Sequence, residues 1–303
     1  MLRKSYITTF DILKQYPDIQ YKEKEEILCA VLHIPKIQLI REIKEIYVNK
    51  KEEKEYFENI KKLLGGKPIQ QIIKSVEFNG VTIKIDENVL IPRPETEYFA
   101  DLLSNAIKSI LTKGEYKNKP YKILEVGTGS GAICVSLAKR LEKYSNLQIT
   151  GIDISEKAVK ILRQNIEANH ILPKLSIKCS GIGTFGSTET YNLIISNPPY
   201  IPTKKIKYLN KSVKNFEPVL ALDGGDDGLC IVREIINFGI ENSKGNDDLV
   251  IALEINSKKQ FNTIKKEFKG TFNAFKLLKD QYGRYRFIIL SKTILSHSIY
   301  PLL

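Results

Sequence analysis

From Tyr121 onward the chain repeats one pattern, and this pattern narrows the available folds more than any other feature. Short apolar runs, YKILEV, LQITGID, LSIKC, YNLIISN and LVIALEI, are interleaved with segments of helical spacing over 131–143, 155–169, 226–242 and 257–268. A strand that is apolar at successive positions presents apolar side chains on both faces. It must be covered on both, which a mostly parallel sheet between two helical layers achieves. The expected fold class is α/β. Tyr285–Leu290, within YGRYRFIIL, reads as a last apolar strand, and the chain carries no internal repeat or low-complexity tract.

Upstream the period is different. Residues 1 to about 66 show only helical periodicity, with helices predicted over Thr9–Tyr16, Lys22–His33, Lys36–Val48 and Lys51–Leu64. Pro17 and Pro35 separate these segments, and Gly65-Gly66 ahead of Pro68 closes the last one, since glycine readily takes the left-handed conformation of a helix C-terminus. A small helical bundle is expected here as an accessory domain. Val76 and Phe78, then Asn79-Gly80, then Val81, Ile83 and Ile85 alternate around a two-residue turn whose residues tolerate positive φ, the signature of a β-hairpin. The loop Ile91-Pro92-Arg93-Pro94-Glu95-Thr96-Glu97 then leads into a helix reaching about Leu111, with Thr96 a candidate N-cap.

A formal net charge of +12, from 47 Lys and Arg against 35 Asp and Glu, favours approach to polyanions. The lysines are spread over the chain rather than clustered, so a solvated basic surface explains the same surplus. Cys29, Cys134, Cys179 and Cys230 are far apart without a CxxC pair, and His33, His170 and His297 stand near none of them, which excludes the usual zinc spacings; no metal is expected. Isolated thiols read as buried, reduced residues of a cytosolic protein. Met1-Leu2-Arg3-Lys4-Ser5-Tyr6 has no apolar stretch behind it, and no apolar run reaches the roughly eighteen residues that a membrane helix needs, so the expectation is a cytoplasmic protein without a membrane partner.

Two motifs carry chemistry. In ILEVGTGSGAICVSLAK, Gly127, Gly129 and Gly131 occupy the turn between a strand and a helix, where glycine permits a sharp bend and lets a ligand touch backbone. Gly127-x-Gly129-x-x-Ala132 also satisfies the dinucleotide pattern, so the turn alone leaves two ligand classes open. Glu125 opening the motif and Asp153 ending the next strand favour S-adenosylmethionine, because Asp153 can accept from both ribose hydroxyls and Glu125 can face a cationic amino-acid end.

The second motif, IISNPPYI, ends an apolar strand with Asn197-Pro198-Pro199-Tyr200. Ligands of open α/β sheets bind beyond the carboxyl ends of the strands, which puts this loop at the same edge as the glycine turn. A planar NH2 group is a poor nucleophile, and positive charge grows on its nitrogen as it attacks a methyl sulfonium. Neutral acceptors suit it: the Asn197 side-chain oxygen and the Pro198 carbonyl can take its two N–H donors, Pro198-Pro199 fix the carbonyl direction, and Tyr200, read as an exposed aromatic, can stack on the planar group. A proline turn with Asn197 in an Asx-turn and Tyr200 covering core is the plainer alternative.

In these motifs the chain resembles the class I S-adenosylmethionine-dependent methyltransferases that act on planar amino groups, and within them the HemK/PrmC peptide chain release factor glutamine-N5 methyltransferases. Asn-Pro-Pro-Tyr is shared with DNA adenine-N6 and some rRNA guanine methyltransferases. VLIPRPETE at 89–97, FEPVLALDGGDDGL at 216–229, LLGGKPIQQII with the hairpin after it, LEI at 253–255 and KDQYGRYRFII at 279–289 are similar to the release-factor family's own segments. The resemblance implies a Rossmann-like class I methyltransferase sheet over 91–303, an N-terminal helical substrate-recognition domain over 1–70 and a β-hairpin linker over 71–90.

It also implies transfer of a methyl group from S-adenosyl-L-methionine, leaving S-adenosyl-L-homocysteine, to the glutamine amide of the Gly-Gly-Gln loop of class 1 release factors. Asn197 and Pro198 would hold that amide, with Pro199 and Tyr200 completing the catalytic loop. Gly127, Thr128, Gly129, Ser130 and Gly131 would bind the cofactor, Asp153 its ribose and Ile182 an adenine face, while Asn197 borders the methyl group. Peptide chain release factors are the implied partners of a monomer for which direct nucleic-acid binding is not required. Arg93 either shapes the entrance or pairs with Glu95 or Glu97. Gly181 stands where many members carry an acid at the adenine, and Gly181–Thr190, rich in Gly, Ser and Thr, is expected to be mobile. Two other classes compete: a nucleic-acid amino-methyltransferase acting on adenine N6 or guanine N2, which lacks a target-reading insert here, and a non-catalytic binding module.

Overall fold

A computed structural model describes residues 6–112, 116, 119–171, 175–243 and 247–293. Met1–Ser5, His297 and the end of the domain predicted to reach 303 lie outside the described residues. The chain divides into two compact units, one reaching Ser75 and including Lys211–Phe216, the other formed by Val76–Asn210 and the chain from Glu217.

The smaller unit contains β1 (Ile7–Thr8), α1 (Thr9–Leu13), α2 (Tyr21–Leu32), α3 (Lys36–Arg41), β2 (Tyr47–Val48), α4 (Lys50–Leu64) and α5 (Ile69–Ile73). Ile12, Ile27, Leu28, Leu39, Tyr56 and Ile60 are fully buried and form one core. The α4 helix starts on a complete capping box, in which the Asn49 side chain accepts from Glu52 N and the Glu52 carboxylate accepts from Asn49 N. Purely helical character does not hold here. The helix predicted over Lys36–Val48 ends at Arg41, and Tyr47–Val48 pairs antiparallel with Ile7–Thr8. The intervening carbonyls serve another element, since Phe10 N donates to Ile43 O at 2.9 Å and Thr9 N to Ile46 O at 3.0 Å.

The larger unit opens with β3 (Ser75–Phe78) and β4 (Val81–Lys84), joined by Asn79 at φ 47° and Gly80 at φ 79°, the two left-handed residues of a twist-matched hairpin turn. It continues with α6 (Pro94–Thr112), β5 (Tyr121–Val126), α7 (Ala132–Arg140), β6 (Leu147–Asp153), α8 (Glu156–Ala168), β7 (Leu175–Cys179), β8 (Leu193–Ser196) and the short α9 (Thr203–Ile206). After the segment carrying α10 (Lys211–Lys214), which clusters with the smaller unit, come α11 (Cys230–Asn242), β9 (Val250–Glu254), α12 (Lys258–Phe268), β10 (Ala274–Lys279) and β11 (Tyr285–Ser291).

The sheet order is β10-β11-β9-β8-β5-β6-β7, in which β11 pairs antiparallel with both β10 and β9 and the four other pairings are parallel. Alternate residues of each run face opposite layers. Ile123, Ile149, Leu193 and Ile195 join the core with α6, α7 and α8, while Leu124, Ile152, Ile194 and Ile251 join the core with α11 and α12. All are at most 1% exposed, and each buried aliphatic of this kind contributes about 1.5–3 kcal/mol relative to leaving it in water. The chain leaves β5 toward β6 on one side and returns as β8 on the other, so the crevice at the carboxyl end of β5 is the topological switch point.

Hydrogen bonds seat the hairpin in this unit. Buried Asn165 of α8 accepts from Lys84 N at 2.7 Å and donates to Lys84 O and Ser130 O, and Asn79 N donates to the Glu97 carboxylate of α6 at 2.7 Å. Only Cys134 is buried; Cys179 and Cys230 are exposed and Cys29 half-buried, so the expectation of four buried thiols holds at one position and fails at three. Among the described residues no helix is long and apolar enough to cross a membrane, and no cluster of His, Cys, Asp and Glu is placed to hold a metal ion.

Candidate active site

A cavity of about 440 Å³ opens at the switch point. Its floor is the turn after β5. Gly127 and Gly129 take φ of 69° and 54°, and a side chain at either would project into open space, so the bare backbone fronts the cavity. Gly131 serves a different purpose: a Cβ there would lie 2.1 Å from Leu162 Cδ1, so this glycine lets α8 pack against the start of α7. Gly127, Thr128, Gly129 and Ser130 line the cavity whereas Gly131 does not.

Two carboxylates border the turn. Asp153, at the end of β6, accepts from Gly129 N at 2.7 Å through one oxygen and from Ser155 N at 2.9 Å through the other. Each oxygen keeps a second lone pair. Burial raises the Asp153 carboxyl above its ordinary range, and these two N–H donors partly offset that. Glu125 is 2% exposed, and burial pushes it up to about 8, with Asp153 adding to the rise and Cys134 opposing it. Glu125 Oε2 and Thr128 Oγ1 are buried with no hydrogen-bond partner among the described residues, although both residues line the cavity. Buried polar atoms left unpaired cost about 1–3 kcal/mol each, which a ligand bearing a donor for Glu125 would relieve.

The far end of the cavity is apolar, with Ile154, Ile182 and Ile231 beside the turn Ser180–Thr184. Mobility expected for Gly181–Thr190 is not what its first half shows, because Ile182 and Phe185 are buried in the core and Ser180 N donates to Asp153 O at 2.9 Å. Glu234, from α11, also brings a carboxylate to this end, and no local sequence pattern marks it for this place.

The loop after β8 forms the opposite wall. Asn197 and Pro199 line the cavity, and Pro198 and Tyr200 stand behind it. The segment 217–229 and Gln260 of α12 brace this loop: Ile201 N donates to Leu222 O, Gly224 N to Ile201 O, and Gln260 Nε2 to Tyr200 O at 3.0 Å. Gly224 backs onto Pro199 O and Gly228 onto Tyr200 O, at 2.5 Å and 2.2 Å from where a Cβ would stand. Among the described residues no donor reaches the backbone carbonyls of Asn197, Pro198 or Pro199, whereas Tyr200 O and Ile201 O are taken.

Behind Asn197 runs a chain of hydrogen bonds. Asn197 Nδ2 donates to Thr96 Oγ1 at 3.1 Å, Thr96 Oγ1 donates to Glu254 Oε2 at 2.7 Å, and Tyr200 OH donates to Glu254 Oε1 at 3.0 Å. The Asn197 amide oxygen is thereby free, while Tyr200 is half-buried with its hydroxyl tied inward rather than exposed as expected. Thr96 is not an N-cap. The α6 helix begins at Pro94, whose missing N–H is no loss in a first turn, and Thr96 is buried two residues further in.

Arg93 pairs with neither Glu95 nor Glu97 but with Glu217, at 2.6 Å, and Glu217 also accepts from Ile91 N at 3.2 Å. This pair joins the loop bearing Leu90 and Pro92 to the one bearing Pro218 and Leu220, all four of which line the cavity. Glu217, Glu254 and Thr96 lie in segments singled out by resemblance, yet nothing local in the sequence marked them as partners.

The family model described as a methyltransferase domain matches residues 117–278. A release factor glutamine methyltransferase of Thermodesulfovibrio yellowstonii is 36% identical over 276 residues, covering 90% of this chain and 92% of the relative. Another, of Streptococcus pneumoniae, is 37% identical and covers 80% of this chain and 82% of its own. Among solved structures, the catalytic domain of human METTL16 in complex with a MAT2A 3′UTR hairpin superposes with a TM-score of 0.53 at 14% identity, over 71% of this chain and 76% of that one, a likeness of fold. The sheet order, the bare glycine turn and the braced Asn-Pro-Pro-Tyr loop thus stand in a chain that belongs to the release factor glutamine methyltransferases.

Proposed function

We infer that this chain transfers a methyl group from S-adenosyl-L-methionine to the side-chain amide nitrogen of a glutamine, the one in the Gly-Gly-Gln loop of class 1 peptide chain release factors. The observation that carries the reading is a free, uncharged acceptor, Asn197 Oδ1, on the wall of a cavity that also holds the unpaired Glu125 Oε2, with Pro198 O, which no donor reaches, next to it in the same loop.

The residues present fit the cofactor. The backbone of Gly127–Ser130 would lie against its amino-acid part, Glu125 would meet the ammonium group, Asp153 the ribose hydroxyls, and Ile154 and Ile182 the two faces of an aromatic base. When bound, the group supplies a methyl carbon activated by a sulfonium. The protein's part is to hold the attacking nitrogen. Two acceptors fix both N–H bonds of a planar amide, which sets the direction of the nitrogen and stabilises the positive charge it gains. The extra proton then passes to water at the open side of the cavity, so no side chain needs to act as a base before transfer. Assigning the smaller helical unit to recognition of the folded release factor belongs to the same proposal, and the acidic residues that line the cavity, Glu125, Asp153, Asp223 and Glu234, suit an amide better than a phosphate-bearing substrate.

Incubation with methyl-labelled donor and a purified release factor tests the reading. Label is expected on one glutamine of the factor, located by mass spectrometry; label in nucleic acid and none in the factor would overturn it. The Glu125 carboxyl supplies a further expectation. In the empty site it is protonated below about 8, and a bound ammonium favours its ionised form. Donor binding should therefore release a proton near neutral pH, and affinity should rise between about pH 6 and 8. Calorimetry in buffers of different ionisation heat reads this release; binding without proton exchange would contradict the Glu125 contact.

A further inference from the structure

We propose that Glu254 is a positioning residue whose ionised carboxylate determines which end of the Asn197 amide faces the substrate, an inference that rests on the amide-methylation reading. The argument is a count of protons. Glu254 is 1% exposed and does not line the cavity, so it touches neither substrate nor donor. It closes a chain of four groups, Tyr200, Glu254, Thr96 and Asn197, in which every bond has a direction.

A carboxylate can only accept. With Glu254 ionised, Tyr200 OH donates to one oxygen and Thr96 Oγ1 to the other, at 3.0 Å and 2.7 Å. The single hydroxyl proton of Thr96 is then spent. Its oxygen can only accept from Asn197, at 3.1 Å, and only the NH2 end of that amide donates. The oxygen end is therefore turned to the cavity, where an amide N–H donor needs it.

A proton on Glu254 reverses the sequence. The buried phenol of Tyr200 has no other acceptor in reach among the described residues, so the oxygen that stays an acceptor must serve Tyr200 and the new O–H must point at Thr96. Thr96 then accepts from Glu254, and its own proton becomes free to donate toward Asn197. The amide satisfies that donor by rotating half a turn, which brings its NH2 group to the cavity wall. Donor faces donor, and the substrate nitrogen loses an acceptor. A glutamine at this position, with one accepting and one donating end, enforces the same reversal at every pH.

The surroundings poise the group for such behaviour. Burial is the largest influence and brings the Glu254 carboxyl up to about 7, against the hydrogen bonds from Thr96 and Tyr200. Arg286 on β11 favours the charged form, Glu95 in the first turn of α6 opposes it, and Arg93 ahead of α6 acts on the neighbouring Tyr200. Burial and Glu254 together push the Tyr200 phenol upward, so it stays a donor throughout the working range.

The test is kcat against pH at saturating donor and release factor, with donor affinity measured separately by calorimetry. Wild-type protein is expected to lose turnover as pH falls through about 7, the ionised form being the active one. For Glu254→Gln the expectation is a kcat about 100-fold lower, a profile without that acid limb, and donor affinity within about threefold of wild type. Glu254→Gln keeping both wild-type kcat and the acid limb would overturn the proposal. Should that variant fail to fold, Thr96→Val cuts the relay between Glu254 and Asn197. It should turn over more slowly and lose the acid limb, and an unchanged limb would overturn the proposal equally. A wild-type protein that places no methyl group on a release factor would instead refute the functional reading and be recognised as such before any variant is made.

Discussion

Replacing Asn197 with alanine is expected to lower kcat by about 10²–10³-fold while donor affinity stays within about threefold of wild type. The substitution removes Oδ1, the acceptor that the hydrogen bond from Nδ2 to Thr96 leaves turned toward the cavity. A substrate amide then keeps one of its two fixed N–H bonds, to Pro198 O, and can swing about it. The loss should appear in the chemical step because charge on the nitrogen grows only as the methyl group moves. The proposed donor contacts are spread over Gly127–Ser130, Glu125 and Asp153, cavity-lining residues that the mutation leaves in place. Single-turnover rates together with calorimetric titration of the donor check both halves. Undiminished turnover would remove Asn197 from the chemistry, and a donor affinity that falls in step with kcat would make it a cofactor residue only.

A second large effect is expected far from any charge. Gly228→Ala should destabilise the protein by about 3 kcal/mol and lower turnover as well. Gly228 has φ 78°, where a Cβ costs about 1–2 kcal/mol in conformation alone, and that Cβ would stand 2.2 Å from Tyr200 O and 2.7 Å from Gln260 Nε2. Backbone must move, and the backbone in question is that of the Asn197–Tyr200 loop. Gly283 provides a control, because its φ is also 78° while a Cβ there meets nothing within 4 Å. Gly283→Ala should cost only the conformational part, about 1–2 kcal/mol, and leave turnover alone. Urea unfolding and initial rates of the two variants separate strain from contact. Equal losses in both would show that the packing of 224–229 against Tyr200 does not hold the loop.

The parts of this molecule that could be read from sequence are those whose cause is local. Continuous apolar runs such as YNLIISN and LVIALEI can only be strands covered on both faces, and Asn79-Gly80 can hardly be other than a hairpin turn. The edge strand β10 has no legible signal of its own, because it is half-exposed along AFKLLK and its pattern resembles a mixed loop. Tyr47–Val48 was absorbed into a predicted helix since its strand partner, Ile7–Thr8, lies at the other end of the smaller unit's sequence.

Within the site the division is the same. Asn197 and the glycine turn announce themselves by residue type and spacing. Glu254 does not, because a glutamate ending a buried strand looks like any strand end; what gives it a role is Thr96, 158 residues away in sequence, and Tyr200, 54 residues away. Thr96 has the residue type of a cap but not its place, because Pro94 starts the helix two residues upstream of it. Glu217 buried against Arg93 is a further pairing across 124 residues that no local pattern encodes.

The most direct measurement is a crystal structure of the protein with S-adenosylhomocysteine and a glutamine-containing release factor or loop peptide. The substrate amide nitrogen is expected within about 3 Å of both Asn197 Oδ1 and Pro198 O, on the side facing the sulfur. A glutamine whose carbonyl oxygen meets Asn197, or whose nitrogen lies beyond hydrogen-bond reach of either acceptor, would contradict the grip on which the whole mechanism depends.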